Sequence, residues 1–180
     1  KYQGGLTLMY DHWWTLNDLF YLSLGHDLGG GDPGARGTRN HTVHYSVPYG
    51  YWLLAFTASA YRYHQSVAGA FQSYVYSGDS ENGELKLSRL LYRDASRKTT
   101  AAVKALARSS HNFIDDTEVE VQRRRTGGWE ASLSHREFIG RGSLDASLAY
   151  RRGTGAFGAM PAPEEAFGEG SSRFRFVTAE

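Results

Sequence analysis

Apolar and polar residues alternate with a period of two along most of this chain, and that habit restricts the fold more than any motif does. Leu6, Leu8 and Tyr10 alternate with Thr7, Met9 and Asp11; after Trp13 to Asn17 the pattern resumes, with Phe20, Leu22 and Leu24 against Tyr21, Ser23 and Gly25. Successive side chains of a strand point to opposite faces, so each such segment has one greasy face and one wet face. A sheet of these segments needs oil on one side and water on the other.

Hydropathy conceals that requirement. The longest apolar run is Tyr51 to Phe56, far short of the roughly 18 residues a membrane helix needs. The mean hydropathy of -0.50 resembles that of a soluble protein, yet a membrane barrel places its lipid-facing residues at alternate positions and escapes such averages. Aromatic residues make up 14% of the chain and there are 21 glycines, which suits aromatic girdles and tight turns. Cysteine is absent, which removes disulfides, thiolate metal sites and thiol nucleophiles. A net charge of +1 gives no global field to attract nucleic acid, and 180 residues suit one domain.

The alternation predicts nine strands. They cover about 6–12, 19–26, 41–47, 51–63, 84–93, 101–108, 117–136, 143–151 and 172–178. Asp27 to Asn40, His64 to Gly83 (weakly strand-like around Phe71 to Tyr76) and Gly153 to Ser171 are expected to be long loops; Pro48 to Gly50, Asp94 to Lys98 and Ile139 to Gly142 are expected to be short connections, and Asn112 to Asp116 is a short one on the long-loop side. The phase blurs at Arg89-Leu90-Leu91, which predicts a bulge, and Gly127-Gly128 is expected to bend its strand. Short turns on one rim and long loops on the other are the habit of outer-membrane barrels, with the short side periplasmic.

On this phasing the wet face carries Asp11 and then Lys86, Lys104, Arg108, Glu130, Arg136, Asp145, Arg151, Arg173 and Arg175. One Arg or Lys at the lipid midplane costs about 2–4 kcal/mol, so this face is expected to line water, and the residues from Lys86 to Arg175 are the candidate lumen residues. Nine strands leave a closure problem, because an open edge in hydrocarbon exposes unpaired backbone groups. The chain is therefore expected to be a partial transmembrane barrel over residues 1–180, about half of a larger one.

No catalytic, cofactor or metal site is expected. Gly153 to Gly158 matches G-x-G-x-x-G, but Pro161, Pro163, Gly168 and Gly170 leave no room for the helix a pyrophosphate requires. His41 and His44 fall on opposite strand faces. The Gln122 to Arg125 run reads as a solvated strand end, placed near lipopolysaccharide if it is extracellular, and Glu164-Glu165 and Asp115-Asp116 read as loop residues. Trp13 and Trp14 fit an interfacial aromatic belt.

The stretch Leu16 to Leu28 after the Tyr10-Asp11 strand end, then Tyr45 to Trp52, then Leu87 to Asp94, resembles the outer-membrane transporters of two-partner (type Vb) secretion, the hemolysin-activator and filamentous-hemagglutinin exporter type. The resemblance covers nearly the whole chain. It implies a barrel of about sixteen strands, of which this segment would run from about the second to the tenth, together with a plug helix, two periplasmic domains and a Val-Arg-Gly-aromatic loop that have no counterpart here. It implies export of a large partner protein, a hemolysin, adhesin or contact-dependent toxin, through a bacterial outer-membrane pore. The expected partners are that secreted polypeptide, outer-membrane lipid and lipopolysaccharide, with no nucleic acid and no small-molecule substrate. A passive porin-like channel and a soluble ligand-binding β-barrel are the alternatives.

Overall fold

A computed structural model describes residues 2–29, 36–168 and 171–180. The chain forms one antiparallel sheet. Its strands are β1 (Tyr2–Asp11), β2 (Leu19–Gly29), β3 (Arg36–Tyr49), β4 (Trp52–Ala68), β5 (Ser73–Arg93), β6 (Arg97–Ile114), the two-residue β7 (Thr117–Glu118), β8 (Arg124–Ile139), β9 (Gly142–Thr154) and β10 (Arg175–Ala179). Each strand pairs with the next in sequence, except that β8 follows β6 in the sheet and β7 caps the end of β6. The main path thus has the nine strands that alternation predicts.

Several boundaries differ from expectation. Residues 64–83, expected as a loop, are strand: β4 and β5 remain paired from Trp52↔Arg89 to Ala68↔Ser73, and their turn closes with Gly69 N–H donating to Gln72 O at 2.8 Å. Much of the loop expected at 27–40 is also strand, and its Gly30 to Gly34 breakers lie outside the described residues. The single strand expected over 117–136 is instead β7, a 3-10 turn at Glu120–Gln122, and β8. The loop after β9 contains two 3-10 turns, Ala156–Gly158 and Pro163–Phe167. The bulge expected near Leu91 is present, as a register shift between Leu90 and Tyr92.

Cross-strand partners of an antiparallel pair share a face, so the register sorts the side chains. Leu8, Leu22 and Val43 fall on one face with Leu54, Leu87, Val103, Ala131, Leu148 and Tyr150. Among the described residues nothing covers this apolar face. No hydrophobic residue is buried among the described residues, and Leu8, Leu54, Leu87 and Leu148 are exposed. A soluble barrel that turned its greasy face inward would bury these side chains.

The apolar belt does not follow a hydrogen-bonded row. Successive partners from Leu6 run through Leu24, His41, Ala60, Glu81 and Ser109 to Arg125, so the row leaves the greasy zone halfway across the sheet. The belt descends instead, occupying Leu6 to Tyr10 in β1, Trp52 to Phe56 in β4, Ala101 to Ala105 in β6 and Leu144 to Tyr150 in β9. A level belt crossing tilted strands must slip against the register in this way, and tilt with stagger is the geometry that closes a barrel. At about 3.3 Å per residue the 21 residues of β5 extend well beyond an apolar band about 25 Å tall.

Candidate functional site

The opposite face is polar, and its centre is a row of charge. Following partners from Ala55 gives Lys86, Lys104, Glu130, Arg151 and Phe176 on five successive strands of the main path. Lys86 and Lys104 are direct cross-strand partners, an arrangement that destabilises a bare pair. Two carboxylates offset the repulsion: Lys104 Nζ lies 3.7 Å from Glu84 and 3.4 Å from Glu130. Glu130 also accepts a 2.6 Å hydrogen bond from Arg151 Nε, and the Arg151 guanidinium stacks 5.5 Å over the Phe176 ring. Glu130 and Lys104 are mostly covered, at 16% and 17% side-chain exposure, so these charges are held in place rather than freely solvated.

Towards the short-turn rim Arg136 pairs with Asp145. Towards the other rim Arg108 stands between Asn82 and Thr126. Lys86, Lys104, Arg108, Glu130, Arg136, Asp145 and Arg151 thus share one face. Arg173 and Arg175 do not continue it as the alternation suggested. Arg175 pairs with Arg152 and Phe176 with Arg151, so the phase of β10 is the reverse of the expected one. Arg173 precedes the strand, and Gly153 N–H donates to Phe174 O at 2.9 Å. The physical reason is packing: glycines at 128 and 153 leave room on the polar face for Phe174, whose ring would lie 3.0 Å from a Cβ at position 153.

Aromatic and acidic groups order the short-turn rim. Trp13 packs edge-on against Tyr10 and Phe20, with centroids 5.4 Å away in each case. Beneath them Asp18, 1% exposed, accepts from Trp14 N–H at 3.2 Å and from the Tyr45 hydroxyl at 2.9 Å. Burial works to raise the Asp18 pKa, but the Trp14, Tyr45 and nearby backbone donors together outweigh it and hold the carboxyl below its ordinary value. His12, Thr15 and Asn17 adopt positive φ in this turn.

The long-loop rim is stitched by ion pairs. Arg123 Nε donates to Glu118 at 2.6 Å, which holds that carboxyl below its ordinary value. Arg124 pairs with Glu164, while Glu165 accepts from Ser172 N–H at 2.7 Å and is lowered chiefly by that bond. Asp115, at a positive-φ turn with Asp116, accepts from Val75 N–H at 2.7 Å. The G-x-G-x-x-G stretch holds a three-residue 3-10 turn rather than an α-helix. His41 lies on the apolar side opposite Ala60, and His44 on the polar side bonds Thr57 at 2.8 Å. No group of three or more His, Cys, Asp or Glu suited to a metal occurs among the described residues.

Three residues of this arrangement are not among those the alternation places on the wet face. Glu84 is two residues from Lys86 on the same face, and that spacing was the available signal. Asp18 could have been sought from Tyr45, a phenol on an otherwise greasy face that needs a partner. Phe176 had no signal, because an Arg-Phe-Arg-Phe run alternates without saying which face is wet.

What the polar face can do is line water with its charge locally balanced: Glu84 and Glu130 lie beside Lys104, and Asp145 beside Arg136. The sequence profile of the haemolysin secretion/activation protein ShlB/FhaC/HecB family matches residues 1–180. An outer membrane transporter CdiB-2 of Burkholderia pseudomallei (strain 1026b) is 31% identical over the full chain, which spans 31% of that relative. The solved CdiB of Escherichia coli superposes with a TM-score of 0.86 at 24% identity, over 98% of this chain and 33% of the other. CdiB of Acinetobacter baumannii superposes at 0.75 with 31% identity, over 84% and 28%. The chain spans about a third of the length of these relatives.

Proposed function

This chain belongs to the haemolysin secretion/activation protein ShlB/FhaC/HecB family and forms part of a β-barrel of the bacterial outer membrane, and from that premise we propose that it is a stretch of the wall of a pore that exports a large partner protein by two-partner secretion. The observation that carries this reading is the descending apolar belt on one face backed by a fixed ionic row on the other. In the proposed pore Lys86, Lys104, Arg108, Glu130, Arg136, Asp145 and Arg151 face the lumen, while Arg175 faces outward with Arg152. Residues 1–180 act as one partial barrel domain. The unpaired sides of β1 and β10 meet further strands, since open edges in hydrocarbon are costly. Mixed charge along the wall, with each acid close to a base, keeps an unfolded polypeptide from binding tightly at any one point, and transport of this kind needs no catalysis. The exported partner is a hemolysin, adhesin or contact-dependent toxin.

These 180 residues hold no cysteine, so the test starts from the intact protein with any cysteine elsewhere in it replaced by serine. Single cysteines at Lys104, Arg108 and Arg151 in the intact protein should react with water-soluble thiol reagents that enter the pore, and be shielded while a partner is being exported. Cysteines at Leu54, Leu87 and Leu148 should react with lipid-phase reagents instead. Exchange of these two patterns would overturn the reading.

A further inference from the structure

The apolar face ends, on the long-loop side, in a collar of outward-pointing cations. Directly above the belt stand Arg39 on β3, Arg62 on β4, Arg125 on β8, Arg152 on β9 and Arg175 on β10, all exposed. Two pairs are set against themselves: Arg39 is the direct partner of Arg62, and Arg152 of Arg175. Like charges directly opposite are destabilising, and the fold supplies little relief. Arg39 Nε donates to His26 Nε2 at 2.9 Å rather than to a carboxylate. Asp79 is the direct cross-strand partner of Arg62 but is engaged with His111 at 3.0 Å, and no carboxylate forms an ion pair with any of the five arginines among the described residues. The other edge of the belt is different. There Arg97 pairs with Asp94 and Glu137, and Arg89 lies over Trp52.

Beside Arg125 the apolar face is hollowed. Ala58, Ala60, Gly83 and Ala107 line a cleft of about 440 Å³ together with His41, Glu81, Arg125 and Phe157. A largely apolar cleft, opening beside unpaired guanidinium groups at the edge of a lipid belt, complements a molecule with an acyl chain below and a phosphate above. Guanidinium groups bind phosphate oxygens bidentately.

We propose that this collar and cleft bind the phosphorylated glycolipid of the outer leaflet, the phosphates of one molecule bridging Arg39 with Arg62 and those of another bridging Arg152 with Arg175, with an acyl chain lying in the Ala58–Gly83–Ala107 hollow. The proposal rests on the outward orientation of the apolar face, which the cysteine-labelling experiment tests separately. The collar therefore has a role of its own beside the export pore: it fixes the height and rotation of the barrel wall in an asymmetric membrane.

The test uses the complete gene product carrying this segment, in nanodiscs. Binding of fluorescent lipopolysaccharide is compared with that of the same lipid stripped of its phosphates. The combined variant Arg39→Gln, Arg62→Gln, Arg152→Gln, Arg175→Gln should lose roughly fivefold in apparent affinity for each cation removed, while Arg141→Gln in the turn between β8 and β9 binds like the parent. Retained heat-modifiable migration shows that the variant still forms a barrel. If it does not fold, Ala107→Leu alone should weaken the acylated lipid and leave a deacylated, phosphorylated one unaffected. Equal binding of phosphorylated and stripped lipid, or full competition by inorganic phosphate at matched phosphate concentration, overturns the proposal. Lipid-phase labelling of Leu54 with no lipopolysaccharide preference would defeat the collar and leave the pore standing.

Discussion

The Tyr45 hydroxyl donates across 2.9 Å to the carboxylate of Asp18, tying the apolar face of β3 to the turn between β1 and β2. The same carboxylate holds Trp14 N–H, so one buried acid sets both the turn and the strand beside it. Tyr45→Phe removes one charge-assisted bond. It should lower the thermal midpoint of the barrel by roughly 1 °C, the shift expected for the loss of about one hydrogen bond in a protein of the relatives' length. The sign with pH follows from a carboxyl held below its ordinary value: its stabilisation is present above the unfolded pKa and is lost as pH falls through the folded one. Tryptophan fluorescence melts from neutral to acid pH check this. An unchanged acid limb in Asp18→Asn would contradict it.

Asp94 gives a second, separately readable acid transition. Donation from the Tyr92 hydroxyl at 2.7 Å comes first, with the Ser96 and Arg97 amides at 2.8 and 2.7 Å, and the carboxyl falls to about 2 from an unfolded value of 3.8. Stabilisation of the β5–β6 turn is therefore complete above pH 3.8 and disappears as pH falls towards 2. Amide exchange at Ser96 and Arg97 should accelerate across that window in the parent. In Asp94→Ala it should be fast throughout, and a pH-independent difference between the two would reject the assignment.

The phase of most strands was legible because it is written twice, once by greasy residues and once by charge, as in Leu85-Lys86-Leu87. Where one of these signals fails, so does the reading. Residues 64–83 extend β4 and β5 beyond the apolar belt, where water can lie on both sides, so hydrogen bonding continues while alternation fades. In β10 Arg and Phe alternate, and both faces have reason to accept either, so only the pairing of Phe176 with Arg151 decides. The polar row was legible residue by residue but not as a network: that Lys104 lies between Glu84 and Glu130 depends on the register of three strands.

Glu130 holds two cations at once, which makes it the weak point of that row. Glu130→Gln leaves Lys104 and Arg151 facing each other with Glu84 as the remaining nearby acid. The change should cost about 1.5–3 kcal/mol, the range for hydrogen bonds to charged groups, and shift channel selectivity towards anions. The pairing is tested by a double-mutant cycle with Arg151→Gln, read by urea unfolding in lipid vesicles. Additive losses would mean that the two side chains do not interact.

Two glycines separate close packing from mere absence of a side chain. A Cβ at Gly153 would lie 2.2 Å from Ser172 O, a backbone atom that cannot step aside, whereas one at Gly83 meets nothing within 4 Å. Gly153→Ala must therefore push the 171–174 segment off β9, and the bond from Gly153 N–H to Phe174 O breaks with it. Since β10 is only five residues long, loss of that lead-in should free the strand, take Phe176 away from Arg151 and expose the segment near Arg173 to trypsin. Limited proteolysis of the assembled barrel should show at least tenfold faster cleavage there in Gly153→Ala, about 1.4 kcal/mol of local opening. Gly83→Ala should be cleaved at the parent's rate. Equal cleavage of all three proteins would show that β10 is held by its outer neighbour rather than by β9.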